Sequence, residues 1–403
     1  MFEQSKLWLA LEDAGADILP LTIDSKTRLG QLESAASAYE TATRTRTETL
    51  NGFPLLSVPI SEAKEMILAT RLPVSLRHGT PMAENLVKRA LEVGVKEIEG
   101  GPLSYSIPYS RNADLVEVIK SWKSVENLCY QSRDLIVREN FGILTACLVP
   151  PIQAVLTNVL ECSFTIEFQG GIPMASFGAT GNRVQDIASI EAFKQVFQWF
   201  IERRNLTFID PMIAFHHWMG PFPRDEGNAL KIIEDGTYTA QLVRAEKVVV
   251  KTAVEALGVP TIEKNAEAVK TVQGFLASTD SSQKSSTADT LYVEEEVKCL
   301  VSEAKLLLEQ LLKDYKQTEE IILNSVLSGY IDPPFAPHQS CLRGLKSLRA
   351  KDGSVRICRD FPGRHSENFV EREFAISKKE WSNSSADEIV TDIQFPGFDK
   401  LKV

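Results

Sequence analysis

The chain has 403 residues, of which 43% are hydrophobic and 24% are charged. This is the composition of a folded globular protein, and it excludes a disordered, collagen-like or purely coiled-coil chain. Its 44 basic and 54 acidic residues give a net charge of -10, so the chain lacks the basic surface of a nucleic-acid-binding protein. An anionic substrate would have to be met by a local group of arginines.

Short apolar runs alternate with amphipathic stretches up to about residue 275. This alternation is typical of βα units and a parallel sheet. The stronger strand candidates are ILPLTI (18–23), LPVSLRH (72–78), VKEIEGG (95–101), DLIVREN (134–140), IPMASFG (172–178), TFIDPMIAFHH (207–217) and KVVVKT (247–252). LLSVPI (55–60) is a weaker candidate.

Helices are predicted between these strands. Thr80 followed by Pro81 has the pattern of an N-cap and a first helical residue, which predicts a helix over 82–93. Apolar spacing predicts further helices over 186–204 and 263–276.

The composition changes after these units. Residues 277–290 are rich in Ser, Thr and Asp and are expected to form a flexible loop. We therefore expect a barrel domain over 1–276 and a C-terminal extension over 291–403. In the extension, a long helix over 291–327 would precede a small subdomain with strand-like pieces such as SVRICRDF (354–361).

The cysteine pattern and the apolar stretches indicate a soluble cytoplasmic protein. The six cysteines show no CxxC pairing and are expected to be reduced; they are Cys129, Cys147, Cys162, Cys299, Cys341 and Cys358. The first 15 residues lack the features of a signal peptide. The most apolar stretch, 142–164, is interrupted by prolines and polar residues, so no membrane association is expected.

Polar residues recur at the carboxyl ends of the predicted strands, where a (β/α)8 barrel has its active site. They are Asp24, Arg28, Arg77, His78, Glu99, Glu139, His216 and Lys251. A doubly wound sheet would also place ligands at strand ends, but no GxGxxG fingerprint follows any strand. We therefore predict an α/β fold of the (β/α)8 barrel type.

Three charged residues suggest binding of an amino dicarboxylate. Arg28 and Arg77 follow two different strands, and two guanidinium groups in one pocket suit two carboxylates. Glu99 precedes two glycines and could hold an ammonium group or act as a base. The alternatives are surface ion pairs for the arginines and a solvated loop position for Glu99.

Other polar residues leave two interpretations open. Tyr105 and Tyr109 could offer hydroxyl groups to a ligand or pack at the rim. Lys251 and Glu255 could bind the hydroxyls of a sugar or form an i,i+4 ion pair. His216 and its neighbour at 217 point to opposite faces of a strand, so they are not expected to share one metal site, and no zinc motif is present.

Taken together, these residues closely resemble the epsilon (barrel) subunit of glutamate mutase, also called methylaspartate mutase. The matching strings occur in the family's order over about residues 15–275. They are GADILPLTIDSKTR (15–28), LNGFP (50–54), LPVSLRHGTP (72–81), EGGPLSYSIPY (99–109), VRENFGILTACLVPP (137–151), GATGNRVQDIA (178–188), FHHWMGPFPRDE (215–226) and VVVKTAVEALGVPT (248–261).

The resemblance implies a fold, a reaction and a partner. A (β/α)8 TIM barrel would catalyse the adenosylcobalamin-dependent radical rearrangement of L-glutamate to L-threo-3-methylaspartate. The cobalt would be carried mainly by a separate small cobalamin-binding subunit with a DxHxxG motif, and two barrel subunits would pair in a heterotetramer. HWMG (217–220) has only part of that motif, because Phe215 stands where the Asp should be.

The resemblance also implies roles for individual residues. The substrate-binding positions are Arg28, Arg77, His78, Glu99, Tyr105 and Tyr109, with Glu99 receiving the amino group as the catalytic carboxylate. The cofactor-binding positions are Asn51, Pro108, Phe222, Lys251, Glu255 and Val259, with Lys251 and Glu255 nearest the ribose.

The chain departs from the family's pattern in two ways. Family members begin with a segment that carries a PRxG motif on the first barrel strand, and this chain starts after that point, so the barrel is expected to lack that strand. In addition, GGP replaces GGG at 100–102, and His217 replaces a Gln. These departures motivate a second hypothesis, an inactive or altered-substrate barrel that still docks on the cobalamin-binding partner. A third, weaker hypothesis is a lyase or aldolase with Lys251 as a Schiff base.

Overall fold

The computed structural model describes residues 2–45, 50–132, 134–143, 148–278, 287–360 and 363–381. The strands are β1 (Leu19–Thr22), β2 (Val74–Arg77), β3 (Glu97–Glu99), β4 (Val137–Asn140), β5 (Ile172–Gly178), β6 (Met212–His216), β7 (Lys247–Val249), β8 (Lys346–Arg349) and β9 (Val355–Arg359). The helices are α1 (Phe2–Asp13), α2 (Ser25–Arg28), α3 (Leu32–Thr45), α4 (Ile60–Leu68), α5 (Glu84–Val93), α6 (Leu115–Gln131), α7 (Pro151–Glu167), α8 (Arg183–Arg203), α9 (Glu226–Leu242), α10 (Ile262–Ser278), α11 (Thr287–Asp314), α12 (Thr318–Leu327) and α13 (Glu367–Trp381).

A parallel sheet of seven strands forms the centre of the molecule. Its strands are paired in sequence order from β1 to β7, with helices between them. The sheet is strongly curled. Its curl is evident from Lys247 on β7, which forms ion pairs with Glu97 on β3 and Glu139 on β4. The predicted barrel is therefore confirmed as an incomplete (β/α) barrel with a C-terminal extension.

Helices α1 and α10 pack against each other beside the two outer strands of this sheet. Trp8 on α1 donates its indole N–H to the carbonyl of Pro20 on β1 at 2.8 Å. Gln273 on α10 donates to the carbonyl of Gly15 at 2.7 Å. These contacts link the elements before β1 to those after β7.

The seven stronger strand predictions are confirmed, but LLSVPI (55–60) was wrong. Residues 55–58 lie in a turn, and Ile60 begins helix α4. The bridge to the end of β1 is made instead by Phe53, whose backbone pairs in parallel with Ile23. The apolar residues of the run still enter the core, since Leu55 and Val58 are buried, but they lie three positions apart, whereas residues on one face of a strand recur every two positions.

The Thr80 N-cap was also wrong. Helix α5 begins at Glu84 with Ala83 at its N-cap. The Thr80 backbone N–H donates instead to Nδ1 of His78 at 3.0 Å. This local bond keeps the residues after β2 in a turn, and the helix starts at Glu84, two residues later than predicted.

The C-terminal extension packs on the barrel through the same hydrophobic core. Leu307 and Leu308 of α11 and Ile321 of α12 are buried with the barrel residues, and α11 lies along α8. The long helix expected over 291–327 is two helices, because the backbone N–H of Gln317 bonds to Glu320 at 3.4 Å and starts α12.

The loop expected over 277–290 lies mostly outside the described residues. Its ends at 277–278 and 287–290 belong to α10 and α11. In the extension, β8 and β9 form an antiparallel pair and α13 packs against β9. Within the described ranges, no helix combines the length and the apolar character that crossing a bilayer requires.

Candidate active site

The carboxyl ends of β2 and β3 bring an arginine and a carboxylate together. Arg77 is the last residue of β2 and Glu99 is the last residue of β3. Their side chains point into the barrel, and Arg77 Nη2 lies 3.2 Å from Glu99 Oε2. A ligand with both an anionic and a cationic group can be bound by such a pair, one group to each side chain.

Glu99 is buried and its second oxygen accepts a hydrogen bond from the hydroxyl of Tyr105. Gly100 between them has φ +105°, a conformation that favours glycine, and a Cβ at this position would collide with the Tyr105 ring. Burial raises the pKa of Glu99 to about 7, although Arg77 acts in the opposite direction. The site therefore holds a carboxyl group that changes charge near neutral pH.

His78 supplies a neutral hydrogen-bond donor beside this pair. Its Nδ1 accepts the Thr80 backbone N–H, which assigns the ring proton to Nε2 in the neutral form. Nε2 is buried and has no hydrogen-bond partner among the described residues. Burial lowers the pKa of His78 to about 3, so the ring stays uncharged at neutral pH.

Arg28 reaches the same region from helix α2. That short helix begins where the Asp24 carboxylate accepts the N–H groups of Lys26 and Thr27 at 2.9 and 3.0 Å, an N-cap that fixes the turn carrying Arg28. The charge of Arg28 acts on both His78 and Tyr109. The structure therefore brings Arg28 and the β2–β3 residues to one end of the barrel.

Tyr105 and Tyr109 form the aromatic side of the site. The two rings are 5.3 Å apart in an edge-to-face arrangement, and Tyr105 is also 4.7 Å from the His78 ring. Tyr105 is buried, whereas 47% of Tyr109 is exposed. Burial and the charge of Glu99 raise the pKa of Tyr109 to about 12, so both hydroxyls act as neutral donors.

A buried charged network lies next to Glu99 inside the barrel. Lys247 contacts Glu97 and lies 2.5 Å from Glu139 Oε2. Glu139 also accepts a bond from Ser176 at 2.8 Å and lies 3.1 Å from His216 Nε2. Burial opposes the charge of Glu139, but Lys247 and His216 outweigh it and hold the pKa of Glu139 well below its usual value.

Sequence reasoning named Glu139 and His216 but missed Glu97 and Lys247. A signal was present, because Glu97 and Glu99 alternate around Ile98 and must therefore share one face of β3. Charged side chains within short, otherwise apolar strands indicate an interior polar network rather than a solvated face. The sequence does not show that Lys247 on β7 is the partner of Glu97 on β3.

Arg138 was also missed, and it supports the turn after β3 from outside the barrel. It is fully buried, ion-pairs with Glu126 at 3.0 Å, and donates to the carbonyls of Ile98 and Gly100 at 2.5 and 3.0 Å. These bonds hold the backbone on both sides of Glu99. Arg138 is thus part of the structure that fixes the carboxylate's position.

The two adjacent histidines point to opposite faces of β6, as expected. His216 faces the barrel interior, where burial lowers its pKa to about 4. His217 faces outward, accepts the Lys251 backbone N–H at 3.3 Å and lies 3.2 Å from the Thr237 hydroxyl. His217 is fully buried, so it is a packed residue that is not open to a ligand.

Three of the six predicted cofactor residues share the loop between β7 and α10, and the other three lie on separate loops. Lys251 and Glu255 form an ion pair of 3.2 Å with 31% and 29% of their side chains exposed. Val259, on the same loop, is 96% exposed. This part of the surface can take a ligand with both polar and apolar groups.

The remaining three members of this set have different surroundings. Asn51 accepts the Ser25 backbone N–H at 3.0 Å, close to the start of α2. Pro108 is partly buried next to Tyr109. Phe222 is buried in a second apolar cluster around Trp218, so only its edge could meet a ligand without a local rearrangement.

The chain matches one family model and several curated proteins over most of its length. The family model described as the methylaspartate mutase E chain matches residues 1–362. The glutamate mutase epsilon subunit of Haloarcula marismortui is 34% identical over 360 residues, covering 88% of this chain and 72% of the relative. That of Desulfitobacterium hafniense is 34% identical over 363 residues, covering 88% and 74%, and that of Escherichia coli O157:H7 is 30% identical over 363 residues, covering 89% and 74%.

Proposed function

The chain belongs to the methylaspartate mutase E chain family, and from this premise we propose that it is the barrel subunit of an adenosylcobalamin-dependent mutase. The proposed reaction is the rearrangement of L-glutamate to L-threo-3-methylaspartate. The single observation that carries the proposal is the ion pair between partly exposed Arg77 and buried Glu99. Beside it lies the Nε2–H of His78, which has no hydrogen-bond partner among the described residues. The arginine and the histidine offer donors to carboxylates and Glu99 offers an acceptor to an ammonium group, which together suit an amino dicarboxylate.

In the proposed complex, substrate takes the place of the internal ion pair. Arg77 turns from Glu99 to a substrate carboxylate, and Arg28 approaches the other carboxylate from α2. Glu99 receives the substrate ammonium group, and its charge is then needed for binding. Guanidinium groups bind carboxylates through two parallel N–H donors, which fixes orientation as well as affinity.

His78 and the tyrosines would orient the substrate without adding charge. The His78 Nε2–H donates to a carboxylate oxygen, and the low pKa of about 3 keeps the ring from changing charge. Tyr105 and Phe141, whose rings are 5.5 Å apart, cover the pocket with apolar surface. Such a cover excludes water from reactive species, which radical chemistry requires.

The residues at the strand ends fit adenosylcobalamin. Adenosylcobalamin supplies, when bound, the radical chemistry that starts the rearrangement. The half-buried pair of Lys251 and Glu255 offers a cation and a carboxylate to ribose hydroxyls, and the exposed Val259 offers apolar contact. Asn51, Pro108 and Phe222 would meet the remaining parts of the group.

The proposal includes a partner that carries the cobalt. His217, the nearest match to a cobalt-ligating histidine in this chain, is buried against Thr237 and is therefore not available as a ligand. The relatives named epsilon subunits imply another subunit by that name. We propose a small cobalamin-binding subunit with a DxHxxG motif and a pair of barrel subunits, in the cytoplasm.

Reconstitution tests this function. The chain is mixed with a small cobalamin-binding subunit, adenosylcobalamin and L-glutamate, and methylaspartate is measured by NMR and cob(II)alamin by electron paramagnetic resonance. We expect both signals with the wild type and with a surface control, Lys120→Gln. Stable assembly without product would favour the inactive or altered-substrate barrel, and borohydride trapping of an oxo-acid on Lys251 would favour the lyase.

A further inference from the structure

The turn that follows β3 is helical and begins without a side-chain cap of its own. Over residues 101–110 the backbone makes i to i-4 bonds, including Tyr105 N to Gly101 O at 3.1 Å and Ser110 N to Ser106 O at 2.9 Å. Pro102 stands at the first position, where a proline costs nothing because its N–H would be unpaired anyway. The N–H groups of the next two residues point out of the turn and need acceptors.

Glu161, from helix α7, provides that acceptor. Its Oε1 accepts the backbone N–H of Leu103 at 2.8 Å and that of Ser104 at 2.9 Å. The side chain is fully buried, and it lies on α7, a helix in which most residues are buried. The same two N–H positions are normally bonded by the residue just before a helix, so Glu161 supplies an N-cap from another element.

The residue before the turn is adapted to this contact. A Cβ on Gly101 would collide with the Glu161 carboxylate, so glycine is required there if the carboxylate is to reach the turn. The other oxygen, Oε2, has no hydrogen-bond partner among the described residues. Among the described residues, the Glu161 carboxyl group therefore makes hydrogen bonds only to the turn.

The capped turn carries Tyr105 into the active site. Tyr105 lies one helical turn after the cap, and its hydroxyl donates to Glu99 Oε1. Its ring also lies edge-on to the His78 ring at 4.7 Å. A shift of the turn would therefore move the hydroxyl away from the carboxylate that sits at the end of β3.

We propose that Glu161 is a positioning residue, which caps the 102–110 turn from α7 and thereby holds the Tyr105 hydroxyl on the Glu99 carboxylate. The effect on turnover rests on the proposed function, but the positioning does not. Glu161 contacts the backbone of the turn and not the substrate. The Tyr105 hydroxyl is the side-chain contact that joins this turn to Glu99.

The first test observes Tyr105 directly and needs no activity. The chain is labelled with tyrosine carrying 13C at Cζ, and the Tyr105 signal is assigned by its loss in Tyr105→Phe. Glu161→Leu removes both oxygens at similar volume and should shift the Tyr105 signal toward that of an unbonded phenol. Glu161→Gln keeps the acceptor oxygen and should leave the signal near its wild-type position.

A matched control removes a cap of the same kind elsewhere. Asp114 accepts the N–H groups of Val116 and Glu117 at 2.8 and 3.2 Å at the exposed start of α6. Asp114→Ala should leave the Tyr105 signal unchanged. An unshifted signal in Glu161→Leu, or an equal shift in Asp114→Ala, would overturn the inference.

The second test is a double-mutant cycle on kcat/KM with the reconstituted enzyme. Glu161→Leu should lower kcat/KM about 10- to 100-fold, the range expected when buried backbone N–H groups lose their acceptor. In the Tyr105→Phe background the same change should cost less than about threefold, because the hydroxyl it positions is already gone. Additive losses would mean that Glu161 acts by another route and would overturn the inference.

The two tests separate this inference from the proposed function. If the wild type makes no methylaspartate, the proposed function fails while the NMR arm still decides the positioning role. Glu161→Ala replaces Glu161→Leu if the latter does not melt cooperatively. If neither variant folds, Glu161 is a folding determinant and not a positioning residue, and the inference is overturned.

Discussion

Glu99 is a carboxyl group whose charge is set by opposing neighbours. Burial favours the protonated form, and Glu139 acts in the same direction, while Arg77 and Lys247 favour the carboxylate. The result is a pKa of about 7, far above that of an exposed glutamate. A ligand ammonium group at this position would add a further positive charge and favour the carboxylate.

The first prediction concerns the pH dependence of substrate capture. Binding of an ammonium group needs ionised Glu99, so kcat/KM for L-glutamate should fall as pH decreases through about 7. Glu99→Gln should lower kcat/KM about 10- to 100-fold and remove this acid limb. Initial rates between pH 5.5 and 8.5, with a thermal melt of each variant, measure both effects; an unchanged profile in the variant would contradict the role of Glu99.

The second prediction concerns the buried pair that supports Glu99 from outside the barrel. Arg138→Met should destabilise the protein by about 3–5 kcal/mol, because it leaves the Glu126 charge buried without its partner. The carbonyls of Ile98 and Gly100 also lose their donor. Urea unfolding measures the change.

The matched control for this pair removes both charges. Arg138→Met combined with Glu126→Leu should recover a large part of the lost stability, since two apolar side chains of similar volume can replace a buried ion pair. If the double variant were as unstable as Arg138→Met alone, the cost would come from the lost backbone bonds and not from the stranded charge.

At the residue scale, the sequence indicated which residues form the site but not which residues they contact. Arg77, Glu99 and Tyr105 were named from their positions after strands, and the structure brings them into contact. Lys247 and Arg138 were not named, because each is defined by partners on other strands. Local spacing contains no information on which strands those are.

At the element scale, the C-terminal hairpin of β8 and β9 is joined to the strand-end loop after β5. Arg349 on β8 donates to the Thr180 carbonyl at 2.5 Å. At the start of α8, the Gln185 amide makes two bonds to the backbone of Val355 on β9, at 2.7 and 3.0 Å. The extension therefore helps to hold one of the loops around the strand ends.

The third prediction tests this junction. Gln185→Ala removes both bonds to Val355 and should destabilise the junction by about 1–3 kcal/mol, because buried backbone groups lose their partners. Hydrogen exchange followed by mass spectrometry should speed up over 178–182 and 346–359. Gln198→Ala, on the exposed side of the same helix, is the control, and equal exchange in the two variants would contradict a specific junction.

The element predictions show which patterns determine structure locally. Each stronger strand candidate contains a strand, because its apolar run is flanked by turn residues on both sides. LLSVPI (55–60) has a similar run but forms a turn before α4. Burial of Leu55 and Val58 satisfies the hydrophobic pattern without strand pairing, and the sequence cannot distinguish these outcomes.

At the scale of the whole molecule, buried ionisable groups make stability depend on pH in two directions. Burial lowers the pKa values of His78, His216 and His217 to about 3, 4 and 3, so protonation of the unfolded chain reduces stability as pH falls below about 6.5. Burial raises the pKa values of Asp186 and Glu161 to about 7. Their native forms keep protons that the unfolded chain releases, so their contribution falls as pH rises toward 7.

The fourth prediction isolates one of these groups. Asp186 is buried at the start of α8, where it accepts both the backbone N–H and the hydroxyl of Thr180 at 2.9 and 2.6 Å. Asp186→Asn keeps an acceptor oxygen but cannot ionise. The free energy of unfolding of the variant, relative to wild type, should therefore increase between pH 5 and pH 8.

Urea unfolding at several pH values measures this difference. Asp210→Asn, at an exposed position, should show a difference that does not change with pH over the same range. A constant difference for Asp186→Asn would mean that this carboxyl group is ionised throughout, as an exposed one would be.

The sequence by itself determined the succession of strands and helices, the face on which Glu99 lies, and the strings that identify the family. These features depend on periodicity and on residues close in the chain, so the sequence alone predicts them. Only the tertiary structure decided that Lys247 pairs with Glu97 and Glu139, that Glu161 caps the turn of Tyr105, and that the C-terminal hairpin joins the β5–α8 loop. Each of these contacts joins residues far apart in the chain, and the curl of the sheet and the packing of its helices bring them together.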